Sequence, residues 1–202
     1  NAGYSLAYVG QQRNLAVSVI VPSTTSSFMI DKIKGLGAKV EIYGDVWDEA
    51  NIRALDIAEK TGAAFVSPFD DPLLWTGHSK MIDECVSQME KPDHLVVSVG
   101  GGGLLCGILE GLKQNHWSGV KITTVETAGA ASFHESWKAQ KIVELKEINT
   151  VANTLGAKRI TEKALSLAKE FEMNTALVSD EEAVKATELF YKETSKRVEP
   201  AC

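Results

Sequence analysis

The chain has 202 residues, with 21 Lys and Arg against 27 Asp and Glu, a formal net charge of −6. Apolar residues at 44% and charged residues at 24% describe a soluble globular protein and exclude disorder as the main state. The mildly acidic balance, with no dense Lys/Arg block, excludes a nucleic-acid footprint, and no apolar run approaches the ~18–20 residues of a membrane span.

Asn1-Ala2-Gly3 opens the chain with neither an initiator Met nor the regions of a signal peptide, which reads as a start lying upstream or cut away. Leu15–Val21 (LAVSVIV) alternates small and branched residues and stops at Pro22, as a strand does. Ser27–Leu36 places Met29, Ile30, Ile33 and Leu36 on one helical stripe and ends in the Gly35/Gly37 breakers. Ala38–Tyr43 reads as the next strand, Val46–Lys60 as a helix and Ala63–Val66 as a short buried strand. That alternation is the pattern of a parallel α/β sheet. Ser67-Pro68-Phe69-Asp70-Asp71-Pro72 can continue neither kind of element, so a hinge is expected near residue 70, between domains of about 1–70 and 71–202.

The pattern then resumes: helix Leu73–Met89, strand His94–Val99, four glycines, helix Leu104–Lys113 and strand Lys121–Glu126. Thr161–Phe171 is a further amphipathic helix and Ala176–Val178 a short strand. Ser179 and Glu182 have the spacing of a capping box and open a last helix to about Thr194. The expected fold is three-layer α/β, with mostly parallel sheets in two domains.

The segment Ser98-Val99-Gly100-Gly101-Gly102-Gly103-Leu104-Leu105-Cys106-Gly107 comes after an apolar strand and precedes a helical pattern. Four consecutive glycines lose much chain entropy on ordering, so a folded protein keeps them for a reason. Without Cβ atoms, successive N–H groups can converge on an anion, and the following helix N-terminus adds partial positive charge. A phosphate is the natural guest. No Gly-Lys-[Ser/Thr] ending points to a nucleotide triphosphate, whereas Glu126, ending the next strand, keeps a dinucleotide fold as a competitor.

These glycines stand in a longer series: Asn-Ala-Gly at the start, Pro-Ser-Thr-Thr after the first strand, Pro-Phe-Asp-Asp-Pro, the glycine segment, and Val-Glu-Pro-Ala-Cys at the end. In this order the chain resembles the serine/threonine dehydratases, pyridoxal-phosphate enzymes of the tryptophan-synthase-β fold type (fold type II), over essentially its whole length. The resemblance implies β-elimination of water from L-serine or L-threonine, then loss of ammonia to give pyruvate or 2-oxobutanoate. It implies that Gly100, Gly101, Gly102, Gly103 and Leu104 hold the phosphate of pyridoxal 5'-phosphate. Asn1 would hydrogen-bond the cofactor's phenolic oxygen and help grip the substrate carboxylate. Glu126, Ala130, Ser132, Leu155 and Ala157 would hold a monovalent cation, potassium, for which hard oxygen ligands are suited. A homodimer, a cytoplasmic location and a place in amino-acid catabolism and gluconeogenesis belong to the same implication. The family's Schiff-base lysine sits in a Ser-x-Lys-x-Arg segment ahead of Asn1, so the residues here read as an interior portion and no catalytic base is nominated. A serine racemase or a biosynthetic threonine deaminase shares most of these motifs. A fragment that binds a phosphate-bearing ligand without turnover is the reading from another class.

Other residues point to ordinary duties. Cys85, Cys106 and Cys202 are too few and too scattered for a disulfide framework or a zinc site. His78 and His134 have no second His or Cys at ligand spacing. Asp70 and Asp71, between prolines, suit turn and helix-cap duty better than paired acid/base work. Trp47, Trp75, Trp117 and Trp137 are spread as packing residues.

Overall fold

A computed structural model describes residues 1–202 and divides the chain into two units, Asn1–Pro68 and Phe69–Cys202, each built on its own sheet. The first runs α1 (Ala2–Arg13), β1 (Ser18–Val21), α2 (Ser27–Gly35), β2 (Lys39–Ile42) and α3 (Trp47–Thr61). β1 and β2 pair in parallel, Val19 beside Val40, over a core of Ala7, Val19, Val21, Ile30, Ile33 and Ala38.

Helix α1 has no counterpart in the sequence reading, because it packs through small residues and shows no apolar stripe. A Cβ on Gly3 would stand 2.6 Å from Val19, and one on Gly10 would collide with Val17. The helix stops at Asn14, which takes a left-handed conformation at φ 54°. Leu15 still donates its N–H to the Gly10 carbonyl at 2.9 Å, so the expected strand Leu15–Val21 is shortened to Ser18–Val21. The expected strand Ala63–Val66 does not form, and Ala63, Ala64 and Val66 are exposed. No strand of this chain runs beside it, and branched residues make a ladder only where a partner accepts their backbone bonds.

The second unit runs α4 (Pro72–Gln88), β3 (His94–Ser98), α5 (Gly103–Gln114), β4 (Lys121–Thr127), α6 (Ser132–Ala139), α7 (Glu162–Ala168), β5 (Met173–Val178) and α8 (Asp180–Thr194). Single 3₁₀ turns lie at Ala128–Ala130 and Asn153–Leu155. The strands lie side by side in the order β3-β4-β5, all parallel, with Ser98 beside Val125 and Glu126 beside Leu177. Leu105, Leu109 and Leu112 from α5 meet Ile122 from β4 and Phe133 from α6 in the core. Asp71 caps α4, accepting the Leu73 N–H at 2.7 Å with Pro72 at the first helical position. The capping box forms at α8, Glu182 N–H to Ser179 Oγ at 3.2 Å and Ser179 N–H to Glu182 Oε2 at 2.7 Å. Helix α6 is the second element the sequence concealed. Its apolar side rests on two rings, Phe133 and Trp137, stacked at 6.2 Å. No helix is long and apolar enough to cross a membrane.

Helices α4 and α5 meet across Gly107 and Gly111, and this contact generates a paired expectation. A Cβ at Gly111 would stand 2.7 Å from Ile82 Cγ1 and 2.9 Å from the Ser79 carbonyl, whereas one at Gly77, inside α4, meets nothing within 4 Å. Gly77→Ala should therefore stabilise the protein by about 0.5–1 kcal/mol through helix propensity. Gly111→Ala should be net destabilising by about 1 kcal/mol, because overpacking outweighs the same gain. Urea titration of the two variants checks both signs.

Candidate functional site

Both candidate sites lie at the carboxyl end of the second sheet, where ligands of open parallel sheets bind. β3 ends at Ser98, and the Val99 N–H still reaches the Val125 carbonyl at 3.1 Å. Gly100–Gly103 then turn the chain into α5, whose first N–H groups have no intrahelical acceptor. The Gly102 carbonyl accepts from Cys106 N–H and the Gly101 carbonyl from Thr161 N–H, both at 2.9 Å, so these carbonyls are spent on the protein.

Each glycine is required by a neighbour within this unit. A Cβ on Gly101 would overlap the Phe69 ring; one on Gly103 would stand 2.6 Å from the Phe69 carbonyl oxygen. At Gly100 the neighbour is the Leu155 backbone, at 3.2 Å. Gly102 alone has a positive φ, 92°, and a Cβ there would stand 2.7 Å from that of Ala164. The loop is thus pressed between Phe69 on one chain segment and Leu155 on another. Phe69 is itself held, because the Trp75 indole N–H donates to its carbonyl at 2.7 Å. Leu104 is exposed, whereas Leu105 is fully buried. Four positions without Cβ at the N-terminus of a 12-residue helix fit a phosphate group. Phe69 went unrecognised in the sequence because an aromatic between prolines carries no periodicity.

Glu126, one residue before the end of β4, is 1% exposed. Its two carboxylate oxygens accept the N–H groups of Phe133 and His134, at 2.8 and 2.7 Å, in the first turn of α6. Burial pushes its carboxyl up to about 7, and the two amide bonds pull the other way. Ser132, first residue of α6, is fully buried, and its Oγ is the one buried side-chain polar atom without a hydrogen-bond partner. Ala130, Leu155 and Ala157 are buried as well. The Asn149 N–H donates to the Gly129 carbonyl at 3.0 Å, which joins the 128–130 turn to the 149–157 segment. An orphaned hydroxyl on Ser132, the residue before the Phe133 whose N–H the desolvated Glu126 carboxylate accepts, fits a hard cation.

The other candidate residues fall outside these two clusters or have structural duties. Asn1, exposed, belongs to the first unit and precedes α1, its carbonyl accepting from Ser5 N–H at 3.0 Å. His134 Nδ1 lies 2.8 Å from the Thr175 hydroxyl, and burial lowers the His78 pKa. Trp75, Trp117 and Trp137 pack on the core. Cys106 lies just after the glycine loop, but burial pushes its thiol up to about 12, which makes it a packing residue.

The sequence pattern of the family described as "Pyridoxal-phosphate dependent enzyme" matches residues 1–202. The chain belongs to that family. It is 41% identical over 211 residues to the L-serine dehydratase of Dictyostelium discoideum, covering 100% of this chain and 60% of that protein. It is 43% identical over 204 residues to the L-serine dehydratase/L-threonine deaminase of Bos taurus, covering 100% and 62%. The solved fungal L-serine ammonia-lyase from Rhizomucor miehei superposes with a TM-score of 0.92 at 30% identity, over 98% of this chain and 63% of that one. The chain thus spans 60–62% of the length of these two curated relatives.

The packing of Phe69 on the loop gives a double-mutant expectation. Gly101→Ala meets the Phe69 ring, so Phe69→Ala should relieve part of its cost, a coupling of about 0.5–3 kcal/mol. Gly103→Ala meets Phe69 backbone and should show no such relief. Denaturant unfolding of the singles and doubles decides.

Proposed function

We propose that the protein carrying this chain removes ammonia from L-serine, and less efficiently from L-threonine, by pyridoxal-phosphate-dependent β-elimination, giving pyruvate or 2-oxobutanoate. The observation that carries the reading is the glycine turn at the end of β3, opening α5, in a chain of this family. Gly100, Gly101, Gly102, Gly103 and Leu104 hold the cofactor phosphate on backbone N–H groups. Asn1 orients the phenolic oxygen and grips the substrate carboxylate. Pyridoxal phosphate, when bound, supplies the electron sink for charge developing at the substrate α-carbon. The chain's part is to bind, orient and exclude water, and no residue among these 202 is assigned the base. The resemblance further supports a cytoplasmic homodimer serving amino-acid catabolism and gluconeogenesis.

Glu126, Ser132 and the carbonyls of Ala130, Leu155 and Ala157 hold potassium in this reading. The orphaned Ser132 hydroxyl supports it, as does a buried carboxylate with no basic side chain acting on it.

Product analysis tests the reaction. Full-length protein supplied with cofactor and L-serine should release pyruvate and ammonia in equal amounts. D-serine instead would make it a racemase, and bound cofactor without product would leave only phosphate-ligand binding. Ser132→Ala tests the cation. Removing an unpaired buried hydroxyl should leave stability in choline chloride equal or higher. The rise in melting temperature on adding potassium should shrink in the variant. Glu126→Gln is the less clean probe, because its amide would set an N–H donor against an α6 N–H.

A further inference from the structure

Among the bonds that tie the segment carrying Leu155 and Ala157 to the rest of the unit are two to one carboxylate that the proposed chemistry does not use. Asp180 is the first residue of α8. Its Oδ1 lies 2.6 Å from the Thr150 hydroxyl and its Oδ2 accepts the Val151 N–H at 3.0 Å. The Thr150 hydroxyl also lies 2.9 Å from the Thr127 hydroxyl and accepts the Ala152 N–H at 3.1 Å. A hydroxyl has one proton and a carboxylate only accepts, so Thr150 donates to Asp180 and Thr127 donates to Thr150. Thr127 ends β4 immediately after Glu126 and is buried. Three elements therefore meet on three side chains, Thr127, Thr150 and Asp180: the end of β4, the loop and the start of α8.

A few residues beyond that knot, the chain forms the underside of the glycine turn. The Leu155 N–H donates to the Ala152 carbonyl at 2.9 Å, and the Leu155 backbone stands against Gly100. We infer that Asp180 is a positioning residue: by holding Thr150 and Val151 it fixes the 150–157 loop, and through it the support of Gly100 and the Leu155 and Ala157 carbonyls. The effect on the cation rests on the cation site proposed above; the effect on the loop does not. Helix α8 keeps its own cap, since Ser179 and Glu182 satisfy each other without Asp180. Loss of Asp180 therefore acts on the loop before it acts on the helix.

The test uses full-length holoenzyme and four variants. Asp180→Asn keeps one acceptor oxygen for the Val151 N–H and removes the charge, and the Thr150 contact survives only if that hydroxyl turns round to accept from the new NH₂. Hydrogen exchange of the 150–157 amides should quicken by roughly tenfold, the size of one charge-assisted bond, while exchange in the last two turns of α8 stays as in the parent. The potassium concentration for half-maximal activity should rise by a similar factor, with kcat at saturating potassium largely kept. Thr150→Val should reproduce Asp180→Asn, and serves alone if that variant does not fold. Thr150→Ser keeps the hydroxyl and should behave as the parent. Parent-like exchange over 150–157 in both Asp180→Asn and Thr150→Val overturns the inference, as does a Thr150→Ser variant as damaged as Thr150→Val. Ser132→Ala separates the two readings. If it moves the potassium response and Asp180→Asn does not, the positioning of the carbonyls is wrong and the cation site stands. If Ser132→Ala moves nothing, the cation site falls, and exchange still decides the role of Asp180.

Discussion

The turn after β3 can exist only because four successive residues lack a Cβ. At Gly101 and Gly103 the missing atom would occupy space filled by Phe69, and at Gly100 it would press on the Leu155 backbone. Close packing of this kind tolerates no added methyl without movement of one wall. The same feature does two things. It brings three chain segments into contact beneath the turn, and it leaves the opening of α5 with a bare backbone. A purely local account, in which glycines serve a ligand alone, misses the first half. In the proposed reading the ligand surface is the outer side of a packing contact.

Glu126 shows a second constraint of the same character. Burying a carboxylate is costly, and two amide bonds offset only part of that cost, which is why its carboxyl titrates upward. The residue nevertheless gives α6 its start, occupying two of the N–H groups that a helix leaves unsatisfied. Together with the unpartnered Ser132 hydroxyl, this leaves a buried polar group without a protein partner at the junction of β4 and α6. That orphaned hydroxyl is what sets this junction apart from an ordinary helix cap.

The parts of this fold that sequence revealed are those with a period. β3, β4 and the helices α2 to α5 announce themselves by branched runs or apolar stripes, and their bounds fall within one or two residues of expectation. Helix α1 was hidden because Gly3 and Gly10 make its buried side out of absent side chains, which no hydrophobic pattern records. Ala63–Val66 misled for the converse reason: composition suits a strand, but a strand is a relation between two segments. The glycines stood out in the sequence as a candidate site, whereas Phe69, Thr150 and Asp180 did not. Each of these acts across a large sequence separation, and Asp180 looked like the first-turn acid that any capped helix carries.

Leu155 joins the two halves of the site. Its backbone supports Gly100, and it belongs to the segment whose carbonyls face the Glu126 side in the proposed reading. Its own carbonyl accepts the Ala157 N–H at 2.7 Å, so the loop closes on itself. In the proposed reading this one closed loop serves both the phosphate turn and the cation. Any free energy by which a cation fixes it is felt at Gly100, and the reverse holds by the reciprocity of linked binding. In this architecture an alkali cation need not touch cofactor or substrate to matter. In the proposed reading it would act by holding still the loop on which the phosphate turn rests.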